Sequence, residues 1–175
     1  MVSSKAQFIY IDPSLQNHED LLTQFKSNVR SGKHVFLFVF MEGCPPCKAT
    51  KPEWDDIKIK LADEHLQNND IIIAEINQLL FKNLDKVVGD ESMGYPCLRY
   101  IKDNNVEEYE NPPNVSSFVE WIDKKLKDTK YKKHKNRRKH QSQNGGSKRK
   151  TKKSKKSKKR KSTKKSTKKS TFGKG

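Results

Sequence analysis

The chain has 175 residues, of which 38 are Lys or Arg and 21 are Asp or Glu, for a formal net charge of +17. Thr129–Gly175 holds 23 of the basic residues and none of the acidic ones, which leaves a net −6 on residues 1–128. A like-charged block with almost no apolar side chains cannot bury enough surface to offset its chain entropy, which predicts a disordered basic tail over 129–175 and one globular domain over 1–128.

In chain order, Phe8–Ile11 reads as a short first strand ended by Asp12-Pro13. From His18 to Arg30, Leu21, Leu22, Phe25 and Val29 recur at helical spacing, and Gly32 stops the pattern. Val35–Met41 (VFLFVFM) is a continuous aromatic and β-branched run, expected of a central strand covered on both faces. It leads into Glu42-Gly43-Cys44-Pro45-Pro46-Cys47, where a helix should begin and continue through Trp54, Ile57, Leu61 and Leu66, kinked at Pro52. Ile71–Ile76 predicts a second buried strand and Gln78–Val88 a further helix. Leu98–Ile101 and Val106–Tyr109 flank a turn-rich segment and predict a hairpin. Val115, Phe118, Val119, Ile122 and Leu126 mark a last amphipathic helix, with Trp54 and Trp121 on apolar helix faces as core residues. This order predicts an α/β domain whose mixed sheet carries helices on both faces.

Seven residues is the longest apolar run, far short of the roughly 20 that a membrane-spanning helix needs, and no apolar stretch of a secretory signal stands at the start. A cytoplasmic protein without a membrane span is expected, and there thiols serve redox chemistry or metal binding more often than structural disulfides. Three cysteines also make an odd number, which argues against a disulfide framework.

Cys44 and Cys47 at a strand-to-helix junction have a physical logic. The thiolate is the reacting species, and a helix N-terminus favours it through free N–H groups and the positive end of the dipole. Cys44 would sit at the N-cap, open to solvent, and attack a substrate disulfide; Cys47, one turn in and better shielded, would resolve the mixed disulfide. Pro45 and Pro46 have no N–H, so the first amide available to the Cys44 sulfur is that of Cys47, and Pro46 should push Pro45 away from the α region. Half of a zinc site and two inert core thiols are the alternatives. Zinc would need two more ligands, and only Cys97 and the scattered His18, His34 and His65 are on hand, so no metal site is expected. His65, near a helix end, reads as a dipole partner and not a catalyst.

Tyr95-Pro96-Cys97 stands just before a strand, where a proline is tolerated. One reading is a cis Pro96 loop beside the cysteine pair that leaves the Tyr95 backbone free for an extended substrate; the other is an ordinary trans turn.

Together, the aromatic strand running into CPPC and Lys48, Pro52 five residues past the second cysteine, the strand IIIAEIN, and GYPCLRYI resemble the thioredoxin superfamily. GYP is similar to the segment in protein disulfide isomerase domains. The resemblance covers about Phe8 to Leu126. It implies the thioredoxin fold and thiol–disulfide exchange with protein substrates, with Cys44 as nucleophile, Cys47 as resolving thiol, and a substrate groove of Gly43, Pro45, Pro46, Tyr95 and the cis Pro96. No cofactor is implied. Gly43 replaces the family's usual aromatic residue before the first cysteine, and Phe38 replaces its frequent buried carboxylate. Glu75 stands where thioredoxins commonly carry a lysine; it either supplies the missing proton relay or is a solvated residue at a strand end. Cys97, where the family generally has threonine, is either a third redox thiol or a small buried hydrophobe, the latter being favoured.

The tail is low-complexity, with repeats of three residues (Ser154–Lys159) and four (Ser162–Thr171) that place no apolar face. It is the footprint of a polyanion partner such as nucleic acid, read without base specificity, or of nuclear targeting; a merely solubilising tail is the alternative. The Asn/Lys/Ile-rich composition with a basic arm also resembles thioredoxin-like proteins of large cytoplasmic DNA viruses, which implies packaging in a virion. The reading from another functional class is a non-catalytic thioredoxin-fold module that docks proteins or nucleic acid.

Overall fold

A computed structural model describes residues 5–143. Five strands, β1 (Gln7–Ile11), β2 (His34–Phe40), β3 (Ile71–Asn77), β4 (Cys97–Lys102) and β5 (Asn105–Glu108), form one sheet in the order β1-β3-β2-β4-β5. β1, β3 and β2 run parallel, while β4 and β5 are antiparallel additions. The helices are α1 (His18–Arg30), α2 (Pro45–Asp55), α3 (Ile57–Lys60), α4 (Asp63–Leu66) and α5 (Val115–Gln143), with a 3₁₀ segment at Gln78–Val88.

Alternation along the central strands sorts the core into two layers. Val35, Leu37 and Val39 of β2, with Ile72, Ala74 and Ile76 of β3, meet Leu22, Phe25 and Val29 of α1 and Leu80, Leu84 and Val88 of the 3₁₀ segment. Phe36 and Phe38, with Ile71 and Ile73, meet Trp54 of α2, Ile57 of α3, and Phe118, Trp121 and Ile122 of α5. Both tryptophans are buried as expected, at 2% and 7% exposure. The β4–β5 hairpin turns through Asp103 (φ 50°) and Asn104 (φ 64°), the two positive φ values of a type I′ turn. Gly32 (φ 72°) packs under that turn, where a Cβ would lie 2.7 Å from Asp103 Oδ1.

The single long helix expected after the cysteines is interrupted. α2 passes through Pro52 to Asp55, but Leu61 (ψ 136°) and Ala62 (ψ 144°) are extended and split the rest into short turns. Tertiary contacts outweigh the helical period here. Leu61 and His65 are both buried, and His65 Nε2 lies 2.7 Å from Asp123 Oδ1 of α5. His65 is therefore an anchor between α4 and α5. α5 runs from Val115 through the buried Leu126 to Gln143, and Lys, Arg and Gln, frequent in its second half, are good helix formers. The remainder of the basic segment, 144–175, lies outside the described residues.

Candidate active site

β2 ends at Phe40, and Met41-Glu42-Gly43 turn the chain into α2 at the sheet edge reached by the C-terminal ends of β2 and β3. Gly43 has φ 77°, and a Cβ there would meet nothing within 4 Å. It is the hand of the backbone, and not lack of space, that asks for glycine. Cys44 is the N-cap of α2, extended at φ −75°, ψ 114°. Its carbonyl accepts from Lys48 N (3.1 Å), and its Sγ accepts from the Cys47 amide at 3.2 Å, the first amide past the two prolines. Pro45 and Pro46 occupy the first helical positions, so Pro45 is helical, contrary to the expectation from Pro46. The missing N–H groups cost nothing there, and the fixed φ suits a helix start.

Cys44 and Cys47 form a disulfide, with Cα atoms 5.3 Å apart. One expectation is corrected: Cys44 is not open to solvent. Both cysteines are 4% exposed, because the loop before β4 closes over the pair, with the Tyr95 carbonyl oxygen 3.6 Å from Cys44 Sγ. The Tyr95–Pro96 peptide is cis. The structure thus brings Gly43, Pro45, Pro46, Tyr95 and Pro96 around the disulfide.

Glu75 lies in the middle of β3, directly beside Phe38 of β2, so it is not a strand-end residue. Its side chain is 13% exposed and accepts a bond from Lys51 of α2, which also reaches Asp55 at 3.5 Å. Burial pushes the Glu75 carboxyl upward, opposed by the Lys51 bond. Lys51 also sits 5.4 Å from the Tyr10 ring centroid, and Tyr10 stacks on Phe40 at 5.9 Å. Sequence reasoning missed Lys51, although its place four residues after Cys47 puts it on the same helix face. It also missed the exposed Met41, 40% exposed, whose carbonyl accepts from the Cys44 amide at 3.4 Å.

Cys97 is free and 5% exposed, in the α1-side core opposite Val39. Burial pushes its thiol upward, which suits a packed small hydrophobe. Among the described residues no group of three or more His, Cys, Asp or Glu is placed to hold a metal ion, and no helix is long and apolar enough to cross a membrane.

Residues 17–124 match the Thioredoxin family model. Over 94 residues the chain is 26% identical to protein disulfide-isomerase A2 of Mus musculus, covering 52% of this chain and 16% of the relative, so it spans about a sixth of that protein's length. A solved fragment of ERdj5, J-Trx1, superposes with a TM-score of 0.51 at 18% identity, covering 68% of this chain and 50% of the fragment. The first thioredoxin domain of mouse protein disulfide-isomerase A4 gives 0.42 at 22% identity, covering 58% and 69%. With its sheet order, its cysteine pair capping α2 and a family match over more than half its length, the chain belongs to the thioredoxin family.

Proposed function

We propose that the protein is a thiol–disulfide oxidoreductase that exchanges disulfides with protein substrates through Cys44 and Cys47. The observation that carries this is the cysteine pair at the N-terminus of α2, with one sulfur held against the Tyr95 carbonyl. In the reducing direction, the Cys44 thiolate attacks one sulfur of the substrate disulfide, breaking the substrate S–S bond and expelling one substrate thiolate. The Cys47 thiolate then attacks Cys44 Sγ, expels the second substrate thiolate and closes the Cys44–Cys47 disulfide. Two electrons pass to the substrate, and its two thiolates take up protons released by the cysteines. The Cys47 amide stabilises charge on Cys44 Sγ, and Gly43, Pro45, Pro46, Tyr95 and Pro96 form the groove for the substrate chain.

Phe38 has no proton to exchange, so we assign the relay for Cys47 to Glu75, held by Lys51. The place of Glu75 directly beside Phe38, its contact with Lys51 and the burial of its carboxyl support this role. We divide the chain into the thioredoxin-like domain, 1–128, and a basic segment, 129–175, whose 23 positive charges suit a polyanion such as nucleic acid or a targeting role. A cytoplasmic protein that the basic segment carries to the nucleus or into a virus particle fits this division.

Insulin reduction by the wild type and by Cys44→Ser tests the activity. Turnover in the wild type alone supports exchange. Equal inertness of the two would favour the docking-module reading, which the 4% exposure of Cys44 already makes a real competitor.

A further inference from the structure

The two edges of the sheet are built differently. β5, at one end, is four residues long and carries Glu107 and Glu108. Short, charged edge strands resist pairing with another chain. β1, at the other end, reads Gln7-Phe8-Ile9-Tyr10-Ile11, with no charge, no proline and three β-formers in the middle. Among the described residues no strand pairs with its outer edge. Phe8 and Tyr10, on the α2 side of the sheet, are 45% and 44% exposed. Open space flanks the strand on both faces. A cleft of about 380 Å³ lies between Phe8, Tyr10 and Trp54, with the charged Lys51, Asp55, Lys58 and Glu75 also on its walls, and one of about 320 Å³ lies between Ala6–Tyr10 and Leu21 and Gln24 of α1.

We infer that the β1 edge is a homodimer interface, its occupant being β1 of a second copy in antiparallel two-fold pairing about Ile9. The pattern aromatic–Ile–aromatic reads the same in both directions. That pairing sets Phe8 of each copy opposite Tyr10 of the other on one face, and the two Ile9 residues opposite each other on the second face. An unrelated strand would need this complementarity by accident; a second copy has it by symmetry. A strand added about 4.8 Å from β1 has the two clefts to receive its side chains. Nothing charged stands in the pairing strand to oppose it, and the +17 on each chain is the repulsion that salt must screen.

Sedimentation of the full-length chain at an ionic strength that screens the basic segment tests the inference. The expected result is a concentration-dependent species of twice the 20.3 kDa chain mass, with Phe8→Lys remaining monomeric. Phe8 is exposed, so the variant should keep its near-ultraviolet dichroism. Should it unfold, Tyr10→Lys and amide exchange on the wild type decide instead, with Gln7–Ile11 protected at high concentration and unprotected on dilution. A wild type that stays monomeric at millimolar concentration overturns the inference. So does a dimer that persists in the folded lysine variants, or a dimer whose β1 amides exchange freely, because either places the contact, or an extended partner, elsewhere.

Discussion

His34 opens β2 at 8% exposure, with Nδ1 2.8 Å from the Tyr100 hydroxyl and its ring 6.0 Å from the Tyr100 ring. Burial, helped by the Lys102 charge, holds its pKa down at about 4 against 6.5 for a free side chain, although Asp70 and Asp103 pull the other way. The unfolded chain therefore binds this proton long before the folded one does. Stability from neutral His34 is fully present above pH 6.5 and is lost as the pH falls through 4. A separation of that size weakens the fold by about 2 kcal/mol at pH 5 and about 3 kcal/mol at pH 4, relative to pH 7.5. His34→Gln retains a hydrogen-bonding group but does not titrate. Urea unfolding of both proteins between pH 7.5 and 4 separates the histidine from the carboxylates common to both. The variant should lose less stability on acidification by those amounts. Parallel pH curves for the two proteins would refute a buried, neutral His34.

Four further outcomes follow from the same structure. Cys47→Ser should accumulate a mixed disulfide between Cys44 and a protein substrate, seen by mass spectrometry, because the resolving thiol is gone. Glu75→Gln should slow resolution at neutral pH and shift the pH profile of exchange; an unchanged profile would remove Glu75 from the mechanism. Trp54→Ala should cost about 3–5 kcal/mol in urea unfolding, since the ring stacks on Phe38 (5.5 Å) and meets Phe118 edge-on (5.4 Å); Trp54→Phe should cost less, because Nε1 has no hydrogen-bond partner to lose. Binding of the full chain to duplex DNA should weaken by about 10³ or more between 50 and 200 mM salt and vanish on removal of 129–175.

The amphipathic elements were legible because their determinants are local. The spacing of Leu22, Phe25 and Val29 yields α1 with the expected ends, and the unbroken VFLFVF run could only be a strand covered on both faces. The N-terminal position of the cysteine pair was equally readable, since a strand running into CPPC leaves few alternatives. Site details that depend on a neighbour from elsewhere in the chain were not legible. No local pattern says that Lys51 will reach across to Glu75, that the loop carrying Tyr95 will close over Cys44, or that Leu61 and His65 will turn aside to pack near α5.

Taken alone, the sequence determined that a small α/β core would present Cys44 and Cys47 at a helix start, and that 23 of the 38 basic residues fall in 129–175. Periodicity and composition act within a few residues, so they suffice for those statements. Only the tertiary structure decided which groups surround the sulfurs and how deeply they are covered, and that the uncharged β1 lies at an open edge. Burial and pairing arise between segments distant in the chain, and no short stretch of residues encodes them.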